Sequence, residues 1–327
     1  VDGAVSGWLL RRTGQALLTF ALATVLLFFL MRLAPGDPLG RLSMDRPVTP
    51  QEIAVLRARY GLDEPLTRQF GAWAAGLLRG DLGVSIEYGR PVSALIAERL
   101  PATLLLGGAV LLVNFTLGLW LGVQQAVRRG TLVDRGLTVL SLAGYAMPSF
   151  WLGLVLAWLV AVRWRLLPAA GMADPLLDPG AALGTRLVDL AAHLALPALT
   201  LSVVSIAATM RYQRRAMLEA LRIPYIATAR AKGLGEGAVR WHHAWRNALF
   251  PVLTLFGLWL PLLAAGSVFV ESVFAWPGLG SLAADAVGTR DYPLLMGATL
   301  LVSALVVLGG LLTDVAYAAL DPRVRYR

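Results

Sequence analysis

The sequence predicts an all-α membrane protein with six transmembrane helices and a small helical insertion on the outer face. Three observations carry that prediction. Of 327 residues, 57% are hydrophobic and only 15% are charged, against about 25% charged in an average soluble domain. Six segments are uncharged and apolar over lengths near the roughly 20 residues that a helix needs to cross the hydrocarbon core. The charges between those segments are sorted by sign across the implied membrane.

The spans are Thr13–Met31, Pro101–Val127, Gly136–Val162, His193–Met210, Ala248–Val270 and Pro293–Thr313. The first is too long for the apolar part of a cleavable leader, and Pro35-Gly36-Asp37-Pro38 follows it where a cleavage site would need small residues, so it reads as a retained span. The fourth is the weakest, being short and rich in Ser and Thr. Residues 1–31 form an N-terminal cytosolic end and first span, 32–100 an extracytoplasmic insertion, and 101–327 a five-span core with a cytosolic loop at 211–247. With the N-terminus inside, the cytosolic segments hold 16 basic and 6 acidic residues and the outer segments 13 basic and 14 acidic. The cytosolic excess places both termini inside and accounts for the net charge of +9 without nucleic acid. The absence of cysteine from the sequence removes disulfide and thiol chemistry.

The insertion carries helix punctuation. Thr49-Pro50-Gln51-Glu52 reads as a capping box with proline at the first helical position, and Gly61 ends that helix after Tyr60. Ile53, Leu56 and Tyr60 form its apolar stripe. A second helix is expected near Leu66–Leu78 with Leu66, Phe70, Trp73 and Leu77 on one face. Gly80-Asp81-Leu82-Gly83 breaks the pattern. Such a unit is either a lid packed on its own spans or a docking surface for an external partner.

The cytosolic loop contains the stretch YIATARAKGLGEGAVRWHHAWRNALFP, from Tyr225 to Pro251, with the sole lysine, Lys232. Pro224 suits the first position of a helix and Gly233 its end. A helix of two turns is marginal alone, so it is expected to pack on something. Ala227, Ala229 and Ala231 keep its surface low enough for another backbone to approach. A new helix starts near Ala238 and enters the membrane past Trp241, Trp245 and Arg246, which read as interfacial anchors. Arg211, Arg214 and Arg215 read as topology anchors. His242 and His243 are adjacent and point to different sides of a helix, with no cysteine or carboxylate cluster beside them, so no metal site is expected. His193 reads as a capping or interface residue.

The chemistry of an autonomous pump is missing. Ion-coupled carriers keep ionisable groups facing a cavity in the membrane, and the six spans contain no Asp, Glu, Lys or Arg. Lys232, between Ala231 and Gly233, cannot belong to a Gly-Lys-Ser/Thr phosphate loop. No cofactor is expected on this chain. The sequence reads as a passage without a motor, with the short cytosolic helix as the plug for a motor on another chain. Asn114, Ser141, Ser202, Ser205 and Thr209 are weak candidates for the wall of a solute path, with helix–helix hydrogen bonding as the alternative.

TARAKGL followed by NALFPVLT resembles the cytosolic coupling loop of permease subunits in bacterial ABC importers. RLAPGDP, LRGDLGVS, MPSFWLGL, HLALPALTL, VFVESVFAWPGLGSL, RDYPLLMGATL and DPRVRYR extend the resemblance along the whole chain to the dipeptide/oligopeptide/nickel permease family, the subunit type with a long outer insertion. The resemblance implies a type I ABC-importer permease fold in the bacterial inner membrane and a second homologous permease subunit. It also implies two ATPase subunits or domains that bind ATP and Mg, an extracytoplasmic substrate-binding protein, and surrounding membrane lipid. It assigns the coupling role to Tyr225, Ile226, Thr228, Ala229, Arg230, Ala231, Lys232, Gly233 and Leu234. In the general coupling motif, Glu-Ala-Ala is followed by Gly four residues after the second Ala. Ala229 and Gly233 match the second Ala and the Gly. Ala227 and Thr228 stand where the Glu and first Ala would be, and Pro224 where relatives often carry an acidic residue, so the motif's carboxylates are absent. The competing reading is a stand-alone channel or carrier.

Overall fold

The computed structural model describes residues 2–33, 49–59, 61–249, 251, 252, 255, 257, 259 and 268–320. RLAPGDP beyond Leu33, DPRVRYR, Tyr60 and most of the predicted fifth span lie outside the described residues. Those described residues are mainly helical, and they contain four helices long and apolar enough to cross a membrane, or five if one bent pair is counted as a span.

The first helix, α1 (Asp2–Leu33), packs along the last, α12 (Tyr292–Leu320). Arg12 reaches Asp314 at 3.5 Å near one end of the pair, so the beginning of α1 and the end of α12 share one face of the bundle. Of the insertion, α2 (Pro50–Arg59) and α3 (Leu66–Leu78) match the expected helices. The capping box is present: the Thr49 amide donates to Glu52 Oε2 at 2.8 Å, and the Glu52 amide donates to Thr49 Oγ1 at 3.3 Å. On α3, Phe70 and Trp73 pack against Phe28 of α1 with ring centroids 5.2 Å away in both cases. Leu66 of the predicted stripe stays exposed.

The second span is α4 (Val92–Val127). It starts nine residues before Pro101, where the sequence placed its beginning. Proline inside a helix removes one hydrogen bond, but Val92, Leu95 and Ile96 are buried against Leu279, Leu282 and Leu294, and that burial carries the helix through. A π-helical turn interrupts α4 at Asn114–Gly118.

The third span, expected as one helix over Gly136–Val162, is two. The helices α5 (Leu132–Ala146) and α6 (Ser149–Arg163) are bent by 101°. Pro148 has no N–H for the ladder and drives the preceding residue into an extended conformation, Met147 lying at φ −81 and ψ 123. The fourth span, expected to be the weakest, is the longest helix among the described residues. The 38 residues of α7 (Leu183–Ala220) rise roughly 57 Å, well beyond a ~30 Å hydrocarbon core. It is the central strut, packed against α4, α5 and α6. Gly122 of α4 makes the closest approach to it: a Cβ there would meet Gln213 Cβ and the Met210 carbonyl oxygen at 2.7 Å. His193 is buried inside α7 with Nδ1 at 2.9 Å from the Asp189 carbonyl oxygen, so it sits in the middle of the helix and does not cap it.

Two short helices follow α7: α8 (Pro224–Ala231) and α9, which runs through Glu236–Ala238, a π-helical turn Val239–Ala244, and Trp245–Ala248. The helix α10 (Val268–Val273) overlaps the end of the predicted fifth span, and α11 (Leu279–Thr289) follows it. VFVESVFAWPGLGSL supplies α10, the turn at 274–278 and the start of α11. The Trp276 indole donates to the Ala102 carbonyl at 2.9 Å, and the Ser281 amide near the start of α11 donates to Glu271 at 2.8 Å. The motifs LRGDLGVS and RDYPLLMGATL meet at buried Asp291. Its carboxylate accepts from Ser85 Oγ, from the Glu87 amide at 3.1 Å and from the Leu294 amide at 3.1 Å, capping α12 and pinning the end of the insertion to it.

Candidate functional site

The loop that the sequence predicts to be cytosolic folds as a platform. Pro224 opens α8 at a position where its missing N–H costs nothing. The helix closes with the Gly233 amide on the Arg230 carbonyl at 2.9 Å and the Leu234 amide on the Ala229 carbonyl at 3.3 Å. That double bond pattern needs a left-handed residue, and Gly233 lies at φ +78.

One face of α8 belongs to the chain itself. Ile226 and Ala229 are buried in a cluster with Val123, Ala216, Met217 and Val239. The close approach expected at Ala229 is therefore made to this chain's own helices, while Ala227 and Ala231 remain exposed. The opposite face carries Tyr225, Thr228, Arg230, Lys232 and Leu234, all exposed with Ala231 and Gly233. Arg230 is held by a two-point contact to Glu236 at 2.7 and 3.3 Å, and that hydrogen bonding keeps the Glu236 carboxyl below its usual range. Lys232 makes no ion pair among the described residues.

Tyr225 ties α8 to α9. Its hydroxyl donates to the His243 carbonyl at 2.8 Å and accepts from the Asn247 amide, which also reaches the same carbonyl at 3.2 Å. Asn247 is a functional candidate that the residue-by-residue reading passed over. Its signal was its place in the NALFP run, four residues after His243. Trp241 and Trp245 pack edge to face at 5.7 Å at the same level.

The arginines before α8 divide into separate roles. Arg214 makes two contacts of 3.0 Å with Asp134, whose carboxylate also accepts from the Gly130 amide at 2.9 Å. This contact clamps the start of α5 to α7, so Arg214 is a structural partner beyond its part in topology. Hydrogen bonding from Arg214 holds the Asp134 carboxyl below its ordinary value. Arg211 lies over the Tyr145 ring at 4.3 Å, and Arg215 pairs with Glu219 at 2.9 Å.

The five path candidates gather between the chain's own helices. Asn114, Ser141, Ser202, Ser205 and Thr209 are each at most 2% exposed. Ser141 and Ser205 donate to carbonyls within their own helices. Both amide atoms of Asn114, Ser202 Oγ and Thr209 Oγ1 find no partner among the described residues. Gln125 and Gln213, which the sequence reading did not single out, continue this buried polar seam toward the Asp134 clamp.

Comparison with known proteins identifies the family of the chain. The family model described as the inner membrane component of binding-protein-dependent transport systems matches residues 114–326, and the model of the N-terminal part of such components matches residues 6–107. A putative peptide permease protein of Brucella suis is 43% identical over 92% of this chain and 93% of its own length. The dipeptide transport system permease protein DppB of Escherichia coli K12 is 38% identical over 98% and 99%. The oligopeptide transport system permease protein AppB of Bacillus subtilis is 39% identical over 98% and 100%. These matches set aside the stand-alone channel or carrier and make this a multi-pass inner-membrane protein that works with a substrate-binding protein and an ATPase. The chain belongs to the family of binding-protein-dependent transport system inner membrane components, as a permease subunit of an ABC importer that leaves ATP hydrolysis to its partner subunits.

Proposed function

We propose that this chain is one of two homologous permease halves of an importer of peptides or related small solutes. It sits in membrane lipid with both termini cytosolic. Two ATPase subunits or domains hold ATP and Mg, and the outer insertion receives the substrate-binding protein. The names of the relatives support peptides as cargo. The observation that carries the coupling role is the two-sidedness of α8: Ile226 and Ala229 bind it to the body, while Tyr225, Thr228, Arg230 and Lys232 stand exposed.

In this reading the exposed face of α8, with Ala231, Gly233 and Leu234 at its end, seats in a groove of an ATPase. ATP-driven closure moves α8 as a lever. The Tyr225–His243–Asn247 contact passes the displacement to α9 and the span beyond it, a two-state element that links distant sites. The test is co-purification and reconstitution. The tagged chain should bring down an ATPase and a second permease, and the reconstituted complex should take up a labelled dipeptide only with ATP and the binding protein present. A lone homo-oligomer giving ATP-independent flux overturns the proposal.

A further inference from the structure

A cavity of about 520 Å³ lies beneath the outer insertion, within the size range of small-molecule sites. Arg32 of α1, Leu62, Gln69 and Trp73 of the insertion, and Met296 of α12 line it. Three features define the chemistry that it would accept. The Arg32 guanidinium lies 5.7 Å over the Phe28 ring, its Nε is buried without an acceptor, and it makes no ion pair among the described residues. A partly buried charge without a counter-ion is unfavourable. Glu64 and Arg68, the other charged residues of the described lining, neutralise each other at 3.2 Å, which leaves Arg32 as the single net charge among the described lining residues. Gln69 spends its amide nitrogen on the Leu62 and Glu64 carbonyls at 3.3 and 2.7 Å, leaving its buried Oε1 without a donor among the described residues.

The complement is one anionic group, one N–H donor and an apolar body. A fatty acid lacks the donor, and an inorganic anion lacks the apolar body. The C-terminal residue of a short peptide has all three: a carboxylate, its own amide N–H and a side chain. We propose that this cavity receives the apolar C-terminal residue of a short peptide. Arg32 takes the carboxylate, Gln69 Oε1 takes the amide N–H, and Trp73 and Met296 take the side chain. The proposal rests on the peptide reading above and adds a solute site on the insertion side of this subunit.

The test uses the assembled complex in nanodiscs of zwitterionic lipid, without the binding protein, and calorimetric titration with trileucine, trileucine amide and hexanoate. Trileucine should bind about tenfold more tightly than its amide, the scale of one lost charge-assisted contact. Arg32→Gln should weaken trileucine and hexanoate alike by about tenfold. Gln69→Leu should weaken trileucine by about fivefold and leave hexanoate unchanged. Gln69→Leu keeps the test decisive if Arg32→Gln does not assemble. Equal binding of acid and amide overturns the proposal. So does a Gln69→Leu effect shared by hexanoate, or displacement of trileucine by phosphatidylglycerol in the disc, which would make the cavity a lipid-headgroup site. Uptake of trileucine is measured in parallel with ATP and the binding protein. Uptake without cavity binding sinks this proposal and leaves peptide import standing. Cavity binding with no uptake of any peptide supports the site and sinks peptide import.

Discussion

The helices α3 and α8 are both short and cover the ends of longer helices, yet they are held differently. On the insertion side α3 rests on α1 through the half-buried rings of Phe70 and Trp73, and a cavity remains beside it. On the other side α8 is pressed by Ile226 and Ala229 into a close-packed aliphatic cluster and tied to α9 by Tyr225. An aromatic cover over a cavity can shift without moving the bundle. A helix sunk into the ends of α4, α7 and α9 cannot. The contrast separates a region suited to receiving a ligand from one suited to transmitting force.

The largest expected effect is at the centre of the tighter contact. Ile226→Ala should destabilise the complex by about 2–5 kcal/mol, the cost of truncating a fully buried aliphatic side chain. Thermal melting in detergent should show the loss, while Lys232→Ala on the exposed face should leave the melt unchanged and reduce ATP-dependent uptake. Equal melts for the two variants would break the distinction between a buried and a docking face.

Removing one partner of the Arg214–Asp134 pair comes next. Arg214→Leu should cost about 1–3 kcal/mol, because Asp134 keeps its buried position without its main donor. The pH dependence has a definite sign. The Asp134 carboxyl is held below its ordinary value, so its contribution is present above the unfolded pKa of about 4 and is lost as pH falls through the lower folded value. Melting temperature measured down the acid range should fall in the wild type, and Asp134→Asn should flatten part of that fall.

On the insertion side, Phe70→Ala should cost about 1–2 kcal/mol, less than Ile226→Ala because the ring is only half-buried. Basal ATPase activity should stay near wild type while stimulation by the binding protein weakens. A matching drop in basal activity would mean that α3 and α8 are not independent. The smallest effect on stability is expected for Tyr225→Phe, about 0.5–1.5 kcal/mol for one hydrogen bond at an exposed edge. Its signature is functional: fewer solutes moved per ATP with unchanged assembly. A double-mutant cycle with Asn247→Ala should show coupling between the two sites, and additive effects would remove the proposed link.

Local signals in the sequence determined much of this protein. Apolar runs located α1, α4, α7 and α12 because a helix must satisfy its own backbone in lipid. Capping chemistry defined α2 at Thr49 and Glu52, and α8 at Pro224 and Gly233, because those groups act on neighbours within one turn. Tertiary structure decided what depends on distant partners. It carried α4 through Pro101 because Val92 and Ile96 had a buried surface waiting on α11 and α12. It made the polar, short-looking fourth span into the central helix, since Ser202, Ser205 and Thr209 face other helices rather than lipid. It turned Arg214 toward Asp134, 80 residues away. Which side of α8 faces the body, and the pairing of Asp291 with Ser85, likewise came from contacts between chain segments that no local pattern encodes.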